Sequence, residues 1–230
     1  MRLSKRLLAV AGLVPKGSAV ADIGCDHGYV SIYLLQQEIA KSVIAMDIKQ
    51  GPLDRAKENI KDAALTDRIE LRLSDGAEAL QPGEADTLIM AGMGGRLTLS
   101  IVEGAIEKLG ETLTFILQPQ SEVPLVRRRM RELGYGIEDE DFVAEDGKFY
   151  PMMRFTFTGE KASEAAEDTP YLDEEIFGPV LLKKRPPDFE LYLSKEKEKI
   201  EEILAHVTDE ERREELKDYL CLLSETDRKG

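Results

Sequence analysis

The sequence predicts an α/β protein: a mostly parallel, Rossmann-like sheet covered by helices and closed by an antiparallel hairpin, followed by a charged helical hairpin. Three patterns carry this reading. Between residues 19 and 118, short and nearly continuous apolar runs alternate with helical stretches, as expected for parallel strands buried on both faces. Two longer strand-like segments then flank Asp146-Gly147, a dipeptide that favours a tight hairpin turn. Beyond Pro186-Pro187, Leu193, Ile200 and Val207 recur at intervals of seven, the period of packed helix pairs.

Taken in order, Met1 to Val10 has a basic start and then apolar residues, like the beginning of a signal peptide. Gly12 and Pro15 break that run, and it leads straight into a strand the sheet needs, so a short amphipathic helix is expected. Strands are predicted over residues 19–23, 42–47, 69–73, 87–91 and 113–117. Helices are predicted over 29–37, 52–64, 97–109 and 123–133. The hairpin strands cover 135–145 and 148–158, with Phe149, Met153, Phe155 and Phe157 marking one face. A parallel sheet closed in this way is characteristic of class I methyltransferases. Residues 161–169 are rich in Ala, Glu and Ser and read as a linker with few contacts across it. Thr208 with Glu211 forms a T-x-x-E capping box that should start the last helix. The expected division is 1–159 for the sheet domain and 160–230 for the linker and a coiled-coil domain.

Composition narrows the function. The 230 residues suffice for one sizeable domain and a smaller element. No apolar run approaches the roughly 20 residues a membrane span needs. Cys25 and Cys221 lie far apart and suggest a reducing, cytoplasmic setting. Two histidines and two distant cysteines suggest no metal site. The net charge is −14, with −5 on residues 1–157 and −9 on residues 158–230, so a polyanionic partner must meet local basic patches. Oligomeric state is left open, a monomer included.

The richest segment is Asp22-Ile23-Gly24-Cys25-Asp26-His27-Gly28, which follows a strand and opens a helix. It lacks the G-x-G-x-x-G spacing of a dinucleotide site, and its acids would repel a pyrophosphate. They would instead attract a sulfonium or an ammonium, and S-adenosylmethionine carries both. Asp47 ends the second strand, where a carboxylate can accept both ribose hydroxyls; Ile48 can pack on the adenine. Asp75 can meet the adenine amino group, and Gly76 lets the backbone approach. Ala91-Gly92-Met93 ends the fourth strand. All four segments lie beyond strand carboxyl ends, where ligands of open α/β sheets bind.

DIGCDHGY at 22–29, MDI at 46–48, SDG at 74–76, AGMGG at 91–95 and LQPQ at 117–120 together resemble the bacterial tRNA (adenine-22-N1)-methyltransferases. The resemblance covers essentially the whole chain, including the helical hairpin. It implies S-adenosylmethionine as donor and an adenine in the tRNA D-arm as acceptor. Adenine N1 carries an in-plane lone pair, so no general base is required, but it lies on the pairing edge and must be exposed first. Candidates for holding the base are Tyr29 by stacking, Met93 by packing and Gln120 by hydrogen bonding. Tyr29 could equally pack on its own helix, and Gln120 could only cap the next one. Basic candidates for tRNA are Arg2, Lys5, Arg6, Arg127, Lys183, Lys184 and Arg185. The alternatives are a class I methyltransferase for another RNA, a small molecule or a protein, and a non-catalytic binding protein.

Overall fold

The computed structural model describes residues 3–166 and 169–228. A seven-stranded sheet forms its centre: β1 (Ser18–Ile23), β2 (Ala40–Asp47), β3 (Ile69–Leu73), β4 (Thr87–Met93), β5 (Thr114–Pro119), β6 (Tyr135–Glu145) and β7 (Lys148–Phe157). The spatial order is β3-β2-β1-β4-β5-β7-β6. Strands β1 to β5 run parallel, while β7 is antiparallel to both β5 and β6. The order reverses between β1 and β4, so the crevice beyond their carboxyl ends is the topological switch point where such sheets bind ligands.

Apolar layers on the two faces of the sheet explain why the strands are apolar throughout. On one face α1 (Lys5–Gly12), α2 (Tyr29–Gln36) and α3 (Gln50–Asp62) bury Val10, Ile32 and Leu53 against Val20 and Val43. On the other, α4 (Gly95–Leu109) and α5 (Val123–Glu132) bury Val102 and Val126 against Leu88 and Phe115. Elements begin or end within a few residues of expectation. β4 runs two residues past Ala91, with a register shift between Ala91 and Met93 where Gly92 takes φ 92°.

The C-terminal part departs more from expectation. Two short helices, α6 (Asp173–Phe177) and α7 (Pro179–Lys184), precede α8 (Pro187–His206) and α9 (Glu210–Arg228). Arg185 near the start of α8 donates to the Thr226 carbonyl near the end of α9 at 2.9 Å, so the two helices run antiparallel. Leu193, Ile200, Leu216 and Leu223 are buried between them. The predicted capping box is corrected: Asp209, not Thr208, caps α9, its carboxylate accepting from the Arg212 amide at 2.8 Å. A carboxylate one residue later suits a helix N-terminus better than the hydroxyl.

The expectation of few contacts across the linker is also corrected. Ala162 and Ala165 bond back to Arg131 and Glu132 of α5, and Phe142 of β6 packs on Phe189 of α8 with ring centroids 5.4 Å apart.

Candidate functional site: a cleft at the strand ends

The loop after β1 owes its shape to three left-handed residues at alternate positions: Gly24 (φ 75°), Asp26 (φ 50°) and Gly28 (φ 69°). Its amides are largely consumed internally. Gly24 and Cys25 both donate to the Met46 carbonyl, at 2.8 and 2.9 Å, and Gly28 donates to Cys25. The Asp26 amide donates to the Asp47 carboxylate at 3.3 Å. Close to the N-terminus of α2, the Ser31 hydroxyl donates to the buried Asp22 carboxylate at 2.6 Å. A buried carboxylate thus stands beside the helix N-terminus, where its charge opposes a dinucleotide's phosphate.

Around this loop lies a cleft of about 320 Å³. Asp22, Gly24, Asp26, His27 and Gly92 line it together with Tyr29, Met93 and Gln120. Burial is the largest influence on Asp22 and pushes its carboxyl up to about 6, against the lowering effect of Ser31. Burial and the neighbouring acids push the Cys25 thiol up as well, which keeps it a neutral wall. His27 stacks on Tyr29 with centroids 5.3 Å apart, and its Nε2 lies 3.5 Å from Asp26.

Asp47 accepts the Lys49 amide at 2.9 Å besides that of Asp26, and each oxygen keeps acceptor capacity. Ile48 beside it is a large apolar side chain that is 58% exposed. Asp75 and Gly76 follow β3, whose end adjoins Asp47 through the Ser74 amide. Ala91 and Gly92 face the cleft from β4.

Sequence reasoning did not single out Leu7, Val30 or Cys25 as lining residues. Cys25 lay inside the motif itself; the other two became visible only once α1 and α2 were placed. Arg6 was assigned to phosphate, yet it lines the cleft and donates to Gln118 at 2.7 Å. Glu145 at the hairpin tip accepts the Lys5 and Arg6 amides and so anchors the start of α1. Within the LQPQ motif, Gln118 is buried and structural, whereas Gln120 is exposed to the cleft.

The remaining basic candidates divide. Arg2 lies outside the described residues. Arg127 is corrected: it is buried and paired with Glu140, so it has no surface to offer a phosphate. Lys184 pairs with Asp139, and Arg185 pairs with Glu190. Lys5 and Lys183 are exposed and form no ion pair among the described residues.

A family model described as a methyltransferase domain matches residues 3–153. The tRNA (adenine(22)-N(1))-methyltransferase of Bacillus subtilis strain 168 is 38% identical over 153 residues, 66% of this chain and 64% of that protein. The alignment thus spans just under two thirds of the curated relative. The crystal structure of the B. subtilis m1A22 tRNA methyltransferase TrmK superposes with a TM-score of 0.81 at 33% identity, covering 98% of each chain. The chain belongs to the TrmK family of class I methyltransferases. A second family member, M. capricolum TrmK in complex with S-adenosyl-homocysteine, matches at 27% identity with a TM-score of 0.80 and covers 99% of each chain. The family match extends through α8 and α9, so the helical pair is part of the shared architecture.

Proposed function

We propose that the chain transfers a methyl group from S-adenosylmethionine to N1 of an adenine in the D-arm of tRNA, in the cytoplasm. The observation that carries this is the acid-lined cleft at the switch point, set in a chain that matches a tRNA m1A22 methyltransferase along 98% of its length. The residues fit the donor: Asp22 opposes phosphate at the helix N-terminus, Asp22 and Asp26 suit an ammonium and a sulfonium, and Asp47 retains acceptor capacity for ribose hydroxyls. Ile48 covers one face of the donor adenine, Asp75 and Gly76 meet its amino edge, Ala91 and Gly92 bring backbone close, and His27 faces the donor carboxylate.

When bound, the donor supplies an electrophilic methyl group. The protein's own task is to hold the acceptor nitrogen in line with it, since orientation supplies much of the rate. Tyr29, Met93 and Gln120 line the same cleft, and in this reading they stack, pack and hydrogen-bond the target base. N1 would take the methyl group through its own lone pair as the methyl–sulfur bond breaks, so the positive charge passes from the sulfonium to the adenine ring and the donor leaves as a neutral thioether. No group has to remove a proton. The fourth strand ends in Ala91-Gly92-Met93-Gly94-Gly95, without the Asn/Asp-Pro-Pro-aromatic motif that amino-directed adenine enzymes use.

Residues 1–159 carry the donor site in this account, and 160–230 supply the second wall for tRNA, with Lys5 and Lys183 as phosphate contacts. Replacing the target adenine by 1-deazaadenine tests the chemistry: transfer vanishes while RNA binding survives. Continued methylation of that substrate moves the chemistry to another atom and overturns the reading.

A further inference from the structure

Beside the cleft lies a second and larger cavity, of about 700 Å³, between the β6–β7 hairpin and helices α8 and α9. Its floor is aromatic and buried, formed by Phe142 and Phe189. Its walls are Phe149, Tyr150, Tyr192 and Tyr219, all only partly covered. Phe149 meets Tyr192 edge-on at 5.3 Å, and Tyr192 lies beside Tyr219. Gln120 lines this groove and the strand-end cleft alike, so the two adjoin at this residue.

The rim is cationic. Glu122 is neutralised by Arg96 at 2.7 Å, and Arg127 is spent on Glu140. Lys195 Nζ stands 5.8 Å from the Phe149 ring centre, and the Arg6 guanidinium lies 5.6 Å over Tyr150. Neither Lys148 nor Lys195 is in an ion pair among the described residues. Half-buried aromatic rings edged by unpaired cations, on a chain of net charge −14, complement a ligand with flat faces and negative charge.

We infer that this groove is a second nucleobase site, which takes an unpaired base adjoining the target adenine in the same RNA strand. The inference rests on the reading of the cleft as the methylation site. Presenting N1 to the donor removes the adenine from its pair, and its strand neighbours lose stacking when it leaves. An aromatic wall opening directly beside the cleft restores that stacking whatever the base, while Lys148, Lys195 and Arg6 meet the flanking phosphates. The volume lies within the range of small-ligand pockets. An apolar peptide would leave the lysines without counter-charge.

The test uses the full chain, without donor, and an unstructured RNA pentanucleotide carrying 2-aminopurine at each position in turn. Binding is expected to quench one position selectively. Phe149→Leu and Tyr150→Leu, which keep apolar packing, are each expected to weaken binding about fivefold or more, with unchanged melting temperature and unchanged S-adenosylmethionine affinity by calorimetry. Equal affinity and quenching in both variants overturns the site. So does a wild-type chain that binds no pentanucleotide, or one that self-associates through this face and is dissociated by Phe149→Leu. Because no methyl transfer is read, a failure of the N1 assignment leaves this result standing, and the reverse also holds.

Discussion

Arg127 and Glu140 form an ion pair that locks the C-terminal helices to the sheet. Arg127 Nη2 lies 3.0 Å from Glu140 Oε1, and the two side chains are 3% and 0% exposed. Glu140 also accepts the Val180 and Leu181 amides at the start of α7, at 2.9 and 3.3 Å, and Arg127 donates to the Glu175 and Ile176 carbonyls of α6. Burial pushes Glu140 up and Arg127 down, and their mutual attraction opposes both. Gly178, at φ 94°, packs its Cα against this pair, where any Cβ would strike the Glu140 carboxylate.

Arg127→Met therefore strands a buried carboxylate and should cost about 3–5 kcal/mol in urea unfolding. Adding Glu140→Gln should recover part of that loss, whereas strictly additive costs would show the pair to be uncoupled. Truncation after Gly159 removes the Glu175 partner of Arg128 and the α6 and α7 backbone groups that bond the Arg127–Glu140 pair, and it uncovers Phe142. The expected product aggregates or unfolds; a soluble fragment with a sharp melting transition would contradict the lock.

Asp47→Ala removes the charged acceptor assigned to the donor ribose. Hydrogen bonds to charged groups contribute about 1.5–3 kcal/mol, so S-adenosylmethionine affinity should fall roughly tenfold or more. Calorimetry that finds unchanged affinity in a folded Asp47→Ala chain removes Asp47 from the site.

Asp22 gives stability a pH signature. Its carboxyl is pushed up from an ordinary 3.8 to about 6, so the unfolded chain releases this proton first as pH rises. The contribution of Asp22 to stability therefore declines between about pH 4 and 6, by about 3 kcal/mol in total. Asp22→Asn keeps an acceptor for Ser31 and abolishes this decline. Urea midpoints at pH 4.5 and 8 should show the variant gaining on the parent as pH rises. Parallel pH curves for the two chains would rule out a buried, titrating Asp22.

The strands, the hairpin about Asp146-Gly147 and the strand-end motifs were legible because each depends on local pattern: apolar runs, a turn dipeptide, glycines at left-handed positions. The cap of α9 was misread by one residue because the T-x-x-E pattern at Thr208 and Glu211 drew attention away from Asp209, whose carboxylate is the better cap. Helices α6 and α7 escaped notice because, at five and six residues, neither shows a helical period. Arg127 was assigned to phosphate because an arginine run on a helix says nothing of which side faces inward. Its partners, Glu140, Glu175 and Ile176, come from other elements. The aromatic groove was hidden for the same reason: Phe149, Tyr192 and Tyr219 meet only after the chain has turned back on itself.

The most direct test of the central claim is primer extension on unmodified tRNA after incubation with the full chain and S-adenosylmethionine. N1 methylation blocks Watson–Crick pairing, so reverse transcriptase should stop at a single adenine in the D-arm, only when donor and protein are both present. Donor-dependent methyl incorporation into tRNA without such a stop, or no incorporation at all, would contradict it.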